Sequence, residues 1–404
     1  MAPSKEKFTK TASKDIQIRR APGSSKDSTN NIGNHFVTYE WKDYCPEVFR
    51  SIREFGDIDD TSYILSICSE EVLSKIFSSG KPGRIIPVFN DDRFVVRTLQ
   101  KSRAKHLLDL LPSYYVHLQK NPATLLSITY GLHMVKEAGG HKVYFAVHSN
   151  IIPLEANAFK VYDLKGSKQG RKPSQRVFDE KILLKDLDFD FRFYLDPLVR
   201  ERVLAQIRYD CELLESKGMM DYSFLIGISM RDSSRGFETQ FSCEKNVSPR
   251  KSVDNSRLMS ASSYAFDDSF SPRGSIENES AFHNRSSISS SLQEIENIEL
   301  TFGDNLRTSD SNNNLGMEMP ARAVRINMGT ELPFLGSKRK EEGYEVRLYF
   351  GIVDIYQSYS VAKRIGKCYK SLKYDSKSIS AVNPKLYSSR FQNFLKEMFL
   401  PEES

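Results

Sequence analysis

Apolar positions recur with a helical period in some stretches of the chain and with a strand period in others. From Pro46 to Phe55, Val48, Phe49, Ile52 and Phe55 share one helical face, and Pro46 suits the first turn. A second short helix starts at Ser69, which can cap it, while Glu70 and Glu71 favour its positive end. Residues 85–89 and 93–99 are β-rich, and Asn90-Asp91-Asp92 between them has turn chemistry, so the pair predicts a hairpin. Residues 101–111 read as a helix stopped by Pro112, with further strands at 141–148 and 157–164. The strongest helix follows. Asp196 caps it, Pro197 takes its first position, Val199, Val203, Leu204, Ile207, Cys211 and Leu214 form its stripe, and Gly218 ends it. Ser223–Met230 and residues 344–356 read as buried strands. Asn383-Pro384 opens a final helix whose Tyr387, Phe391, Phe394, Leu395 and Met398 face the core.

Two stretches have no such period. Residues 1–36 are polar and read as a disordered, mildly basic tail, either a membrane-surface anchor or an unconstrained terminus. Residues 232–320 hold roughly 20 serines and few aliphatic runs, and read as a disordered insertion. The folded parts are then 37–231 and 321–404. Within the insertion, Ser248 and Ser271 each precede proline, as targets of regulatory kinases or as ordinary filler.

Composition narrows the class. The chain of 404 residues is 39% hydrophobic and 27% charged, which suits a globular protein. No run of about 18 apolar residues predicts a membrane span, and no apolar leader is present. Five scattered cysteines without ligand spacing read as reduced and cytosolic. Net charge is +6, but the serine-rich stretch has 14 acidic and 8 basic residues. It is therefore near −6, and the rest is near +12. A basic folded part implies an anionic partner: nucleotide phosphates, an anionic membrane or nucleic acid. No zinc spacing, aromatic RNA-binding strand or densely basic helix supports nucleic acid.

Four features share the theme of phosphate and metal. Gly80-Lys81-Pro82-Gly83 precedes the hairpin, where glycine lets backbone N–H groups approach phosphate, though such a turn can simply turn. Arg97 shares a strand face with Val95 and Leu99 and needs an anion, whether a ligand or an ordinary ion pair. Lys165-Gly166-Ser167 lies at a strand end, with Arg171 and Lys172 soon after, as in a phosphate clamp; it is not a Walker A loop. Asp221 opens one apolar strand and Asp354 closes another. Two such carboxylates are either caps, or a metal ligand and a proton acceptor. Lys363, Arg364, Lys367, Lys370 and Lys373 form a run without an acid, either a membrane-docking segment or a solvated helix face.

The segments KVYDLKGS (160–167), LLKDLDFDF (183–191), MMDYSFLIGI (219–228) and LYFGIVDIYQSY (348–359) resemble the phosphatidylinositol phosphate kinases. EWKDYCPEVFR (40–50) and SISAVNPKLYSSRFQNFLKEMF (378–399) are most similar to the short plant phosphatidylinositol 4-phosphate 5-kinases without N-terminal MORN repeats. The resemblance implies an α+β, bilobed fold with antiparallel sheets, distantly protein-kinase-like. It implies transfer of the ATP γ-phosphate, with Mg2+, to the 5-hydroxyl of phosphatidylinositol 4-phosphate in an anionic membrane. It implies a cytoplasmic enzyme, peripheral at the membrane. By position, Gly80, Gly83 and Arg97 would bind ATP, Lys165 and Arg171 would face its phosphates or the substrate head group, Lys165 and Asp354 would be catalytic with Asp221, and Asp221 would orient or deprotonate the hydroxyl. Asp354, with Asp221, would hold the metal, and Lys363, Arg364 and Lys367 would meet substrate and membrane.

Three segments depart from the family pattern. Arg97 stands for a lysine, Pro82 breaks a glycine-serine loop, and Gly366-Lys367 replace a Glu-His pair. Proline removes an N–H donor, and arginine is a planar fork where lysine is a point charge. These departures leave open an alternative, a weak kinase or pseudokinase that binds phosphoinositide or membrane.

Overall fold

The chain lays down two sheets in sequence order. The first contains β1 (Thr11–Arg19), β2 (Phe36–Tyr44), β3 (Ile85–Pro87), β4 (Phe94–Leu99), β5 (Thr129–Glu137) and β6 (Lys142–Ser149). Its order is β1-β2-β5-β6-β4-β3, and every pair is antiparallel. The second contains β7 (Lys160–Leu164), β8 (Leu183–Lys185), β9 (Phe191–Leu195), β10 (Ser223–Met230), β11 (Met319–Arg325), β12 (Gly343–Val353) and β13 (Phe399–Pro401). Its order is β13-β9-β11-β12-β10-β7-β8, antiparallel except at the two edges, where β13/β9 and β7/β8 run parallel. The fold is α+β. This computed structural model describes residues 4–19, 36–78, 82–83, 85–88, 91–167, 183–230, 315–326, 343–359 and 383–402.

Helices α1 (Pro46–Phe55), α2 (Asp60–Ile67), α3 (Glu70–Ser78) and α4 (Lys101–Lys120) accompany the first sheet. Helices α5 (Pro197–Ser216) and α6 (Pro384–Met398) pack on each other beside the second. Local chemistry sets their ends. The Ser69 hydroxyl accepts from Val72 N at 3.3 Å, and the Asp196 carboxylate accepts from Leu198 N at 2.9 Å and Val199 N at 3.1 Å. Gly218, at φ 66°, ends α5. Its N–H bonds Glu215 O at 2.9 Å and the next N–H, of Met219, bonds Leu214 O at 2.8 Å. That is a Schellman stop, and it aims residues 219–221 across the second sheet. None of the described helices is long and apolar enough to cross a membrane.

Among the contacts that join the two sheets, two lie beside α4. The connection after α4 lies along β12: Ser127 N donates to Ile352 O at 2.8 Å, and Ile352 N donates to Leu125 O at 2.6 Å. Beneath it the fully buried Asp210 of α5 accepts from Leu125 N (2.8 Å), Thr124 Oγ1 (2.7 Å) and Gln206 Nε2 (2.9 Å), and meets His117 Nε2 of α4 at 2.6 Å. A buried carboxylate is tolerable only with that many partners.

Several expectations are corrected. Residues 11–19 are not part of a structureless tail. They form edge strand β1 in register with β2, and Phe8 before them is 6% exposed in the core. Helix α4 passes through Pro112. An internal proline costs roughly 3 kcal/mol, but Leu110, Leu111, Tyr114 and Tyr115 are all buried on this helix, at about 1.5–3 kcal/mol each, so packing wins. The serine-rich stretch ends earlier than 320, because β11 begins at Met319 and pairs with β9 and β12. His148 is 6% exposed on β6, where a strand-end histidine would be expected at solvent. Its Nδ1 lies 3.2 Å from Thr129 Oγ1 and 3.1 Å from Tyr356 OH, and its ring stacks on Tyr356. Burial, aided by Arg97, lowers its pKa to about 3.

Candidate active site

Three strand ends, one strand interior and one helix converge on a polar cleft. β4 supplies Arg97, the end of β7 supplies Lys165, the start of β10 supplies Asp221, and the end of β12 supplies Asp354. Arg103 of α4, Gln357, Leu99 and Tyr356 complete the lining. Asp221 and Asp354 have φ of 64° and 67°, the left-handed region that few non-glycine residues other than Asn and Asp enter. In each case the turn swings the carboxylate off its strand toward the cleft.

The charges are paired across the cleft. Lys165 Nζ donates to Asp221 Oδ1 at 2.8 Å, and Gln357 Nε2 donates to Asp221 Oδ2 at 2.7 Å. Arg97 grips Asp354 through both terminal nitrogens: Nη2 meets Oδ2 at 2.7 Å and Nη1 meets Oδ1. Side-chain exposure is 8% for Arg97 and 12% for Asp354, so the fork is shielded from water. The two readings of Arg97, ion pair or ligand contact, thus meet at one place: its partner is the other candidate carboxylate.

Lys165 is held from behind. Asp186 Oδ1 accepts the N–H groups of Lys165 at 2.9 Å and Ser167 at 3.1 Å, which fixes the turn between them. Gly166 sits there at φ 63°, and a Cβ would stand 3.0 Å from Phe394 Cβ on α6. Glycine is required on both counts.

Gly83 occupies a turn at φ 98°, and its N–H donates to Thr98 O at 2.8 Å. That N–H closes the hairpin base, so it is not one of the donors a phosphate would use here. Gly80, Arg171, Lys363, Arg364 and Lys367 lie outside the described residues, as do Ser248, Ser271 and Gly366. Among the described residues no cluster of three or more His, Cys, Asp or Glu could enclose a metal by itself. Cys45, Cys68 and Cys211 are free thiols.

The sequence matches the family described as Phosphatidylinositol-4-phosphate 5-Kinase over residues 67–398. The chain belongs to this family. It is 43% identical over 376 residues to a protein of Arabidopsis thaliana named putative phosphatidylinositol 4-phosphate 5-kinase 11, covering 90% of this chain and 91% of that one. It is 41% identical over 413 residues to phosphatidylinositol 4-phosphate 5-kinase 10 of the same plant, covering 96% of each. Phosphatidylinositol 4-phosphate 5-kinase 1 of Arabidopsis is 37% identical over 91% of this chain, which spans only 46% of that longer protein.

Within this kinase family frame, the matched range contains every strand of the second sheet except β13. It also contains each of the paired charges. Three site residues were not singled out from the sequence. Asp186 lies inside LLKDLDFDF and Gln357 inside LYFGIVDIYQSY, but neither spacing nor composition marks a role. Arg103 lies on a helix with many cations and is indistinguishable there without the fold.

Proposed function

We propose that this cleft transfers the γ-phosphate of ATP to the 5-hydroxyl of phosphatidylinositol 4-phosphate, giving the 4,5-bisphosphate. The observation that carries the reading is the convergence of Lys165–Asp221 and Arg97–Asp354, two cation–carboxylate pairs from distant segments, on one cleft. The names of the Arabidopsis relatives support the substrate.

Phosphoryl transfer needs positioning and charge stabilisation more than covalent help. Asp221 accepts the hydroxyl proton as the oxygen attacks. Lys165 and Gln357 each donate to one of its oxygens, which fixes the plane in which the carboxylate meets the incoming O–H. Lys165 offsets negative charge on the transferring group. Arg97 serves the nucleotide phosphates and the Asp354 carboxylate together.

The donor set fits Mg2+. Asp354 and Asp221 offer hard oxygen donors in one cleft, and a lining with no third acid or imidazole among the described residues suits an ion that takes its remaining ligands from phosphate oxygens and water. Held by Asp354 and Asp221, that ion would supply neutralisation of phosphate charge. Membrane contact falls to the basic run with Lys363, Arg364 and Lys367. Each cation near an anionic surface contributes about 1 kcal/mol, so this run supports a peripheral enzyme at the cytoplasmic leaflet. Ser248 and Ser271 are the candidate regulatory sites.

One observation favours a second reading, a weak kinase. The Arg97 fork takes both oxygens of the carboxylate assigned to the metal, and arginine makes that grip where lysine would make one contact. The deciding assay mixes the purified chain with Mg-ATP and phosphatidylcholine vesicles carrying phosphatidylinositol, or its 3-, 4- or 5-phosphate. Turnover on the 4-phosphate, lost in Asp354→Asn, supports the kinase. Vesicle binding without turnover, restored to turnover by Arg97→Lys, supports the weak kinase instead.

A further inference from the structure

Two groups that hold Asp221 differ in charge. Lys165 serves Oδ1, and the neutral amide of Gln357 serves Oδ2 at 2.7 Å. The other end of that amide, Oε1, accepts from Arg103 Nη2 at 3.1 Å. Arginine has donors only, and an ionised carboxylate has acceptors only. The residue between them must therefore accept at one end and donate at the other. Among side chains of this length, glutamine alone does both. The same logic fixes which way the amide points.

The backbone around Gln357 is anchored independently of this side chain. Met220 N donates to Gln357 O at 2.8 Å, Tyr359 N donates to Gly218 O at 3.0 Å, and Met219 bridges to Ser358. Helix α4 touches the same turn one helical turn further on, where His106 Nδ1 lies 3.3 Å from Tyr356 O. Arg103 is thus a helix-borne reference point, set by the packing of the first sheet, from which the carboxylate on the second sheet takes its orientation.

We propose that Gln357 is a positioning residue for the phosphoryl transfer, acting with Arg103 as a relay that holds the Asp221 carboxylate in line with the attacking hydroxyl. This rests on the kinase reading above. In the step, the hydroxyl oxygen bonds the γ-phosphorus and its proton passes to Asp221. The bond from phosphorus to the bridging oxygen breaks, and ADP leaves with the electron pair. Lys165 fixes Oδ1, and the amide fixes the other oxygen, so together they set the plane of the carboxylate.

The test is steady-state kinetics of the full chain with Mg-ATP and phosphatidylinositol 4-phosphate vesicles, with a melting temperature for each variant. Gln357→Leu is expected to lower kcat on the order of 10²-fold, with KM for ATP and the melting temperature nearly unchanged. Gln357→Glu still satisfies Arg103 but sets a carboxylate against Asp221, so kcat should fall at least as far while the fold holds. Arg103→Met should cost kcat in the parent and nothing further in Gln357→Leu, because its effect runs through the amide. The proposal is overturned if Gln357→Leu keeps kcat within twofold, if it raises KM alone, or if the two losses multiply. Absence of turnover in the parent chain overturns the kinase reading and this relay with it. Turnover in the parent with a normal Gln357→Leu variant overturns the relay alone.

Discussion

Arg97 Nη2 donates to Asp354 Oδ2 at 2.7 Å across 257 residues of sequence, from a strand of the first sheet to the end of a strand in the second. The contact makes one shielded fork serve both architecture and site. A buried pair contributes little net stability beside an apolar isostere, yet breaking it leaves a charge stranded. Arg97→Met is expected to lower the unfolding free energy by about 3–5 kcal/mol, measured by urea denaturation. Arg97→Lys keeps the charge and loses one hydrogen bond to it, for a cost of about 1.5–3 kcal/mol.

Asp354 is also the expected metal carboxylate. With ATP present, Mg2+ should raise the melting temperature of the parent chain, since a ligand that binds only the folded state stabilises it. Asp354→Asn should remove that Mg2+-dependent increment. An increment of the same size in Asp354→Asn would place the ion elsewhere.

The buried histidines set a pH dependence. Burial lowers the pKa of His148 to about 3, and burial also lowers that of His133 despite its Asp43 partner. Below about pH 6.5 the unfolded chain takes up protons that the folded chain refuses, so stability falls as pH drops from about 6.5 toward 3. Each such histidine contributes at most about 1.4 kcal/mol per pH unit in that window. His148→Gln should flatten the slope between pH 6.5 and about 5.5, above the range in which the carboxylates held below their usual values, Asp43, Glu47, Asp60 and Asp91, titrate in the unfolded chain. An unchanged slope would remove His148 from the account.

Gly166 offers a local test of the Lys165 turn. Gly166→Ala forces a side chain into φ 63° and sets its Cβ against Phe394. The expected cost is about 1–2 kcal/mol of stability. A fall in kcat larger than that loss of folded protein explains is also expected, read by comparing kcat per folded molecule. Equal losses would mean that the turn is scaffold only.

Sequence patterning carried the helices with sharp chemistry at their ends. Asp196 with Pro197, Asn383 with Pro384 and Ser69 all mark starts that the structure keeps. It carried the hairpin of β3 and β4, since strand alternation and an Asx-rich turn are local signals. It did not carry β1, because an edge strand with one polar face has only Ile16 and Ile18 to betray it, and its partner supplies the rest. Strand β5 is buried along most of its length and contains Gly131 and His133, so no alternation marks it. Pro112 misled because the burial that overrides it comes from residues far along the chain. Arg97, Lys165, Asp221 and Asp354 were legible as costly charges beside apolar strands. Their pairing was not, because nothing in the order of the segments says which carboxylate meets which cation.

The left-handed backbone at Asp221 and Asp354 also constrains how this site could be lost by descent. Alanine or valine there would incur about 1–2 kcal/mol of backbone strain besides any chemical loss, whereas asparagine and glycine fit the turn. A lineage that no longer needed the reaction would therefore drift first to Asn or Gly at these two positions. The ancestry of a silent descendant would stay readable in its turns after its chemistry had gone.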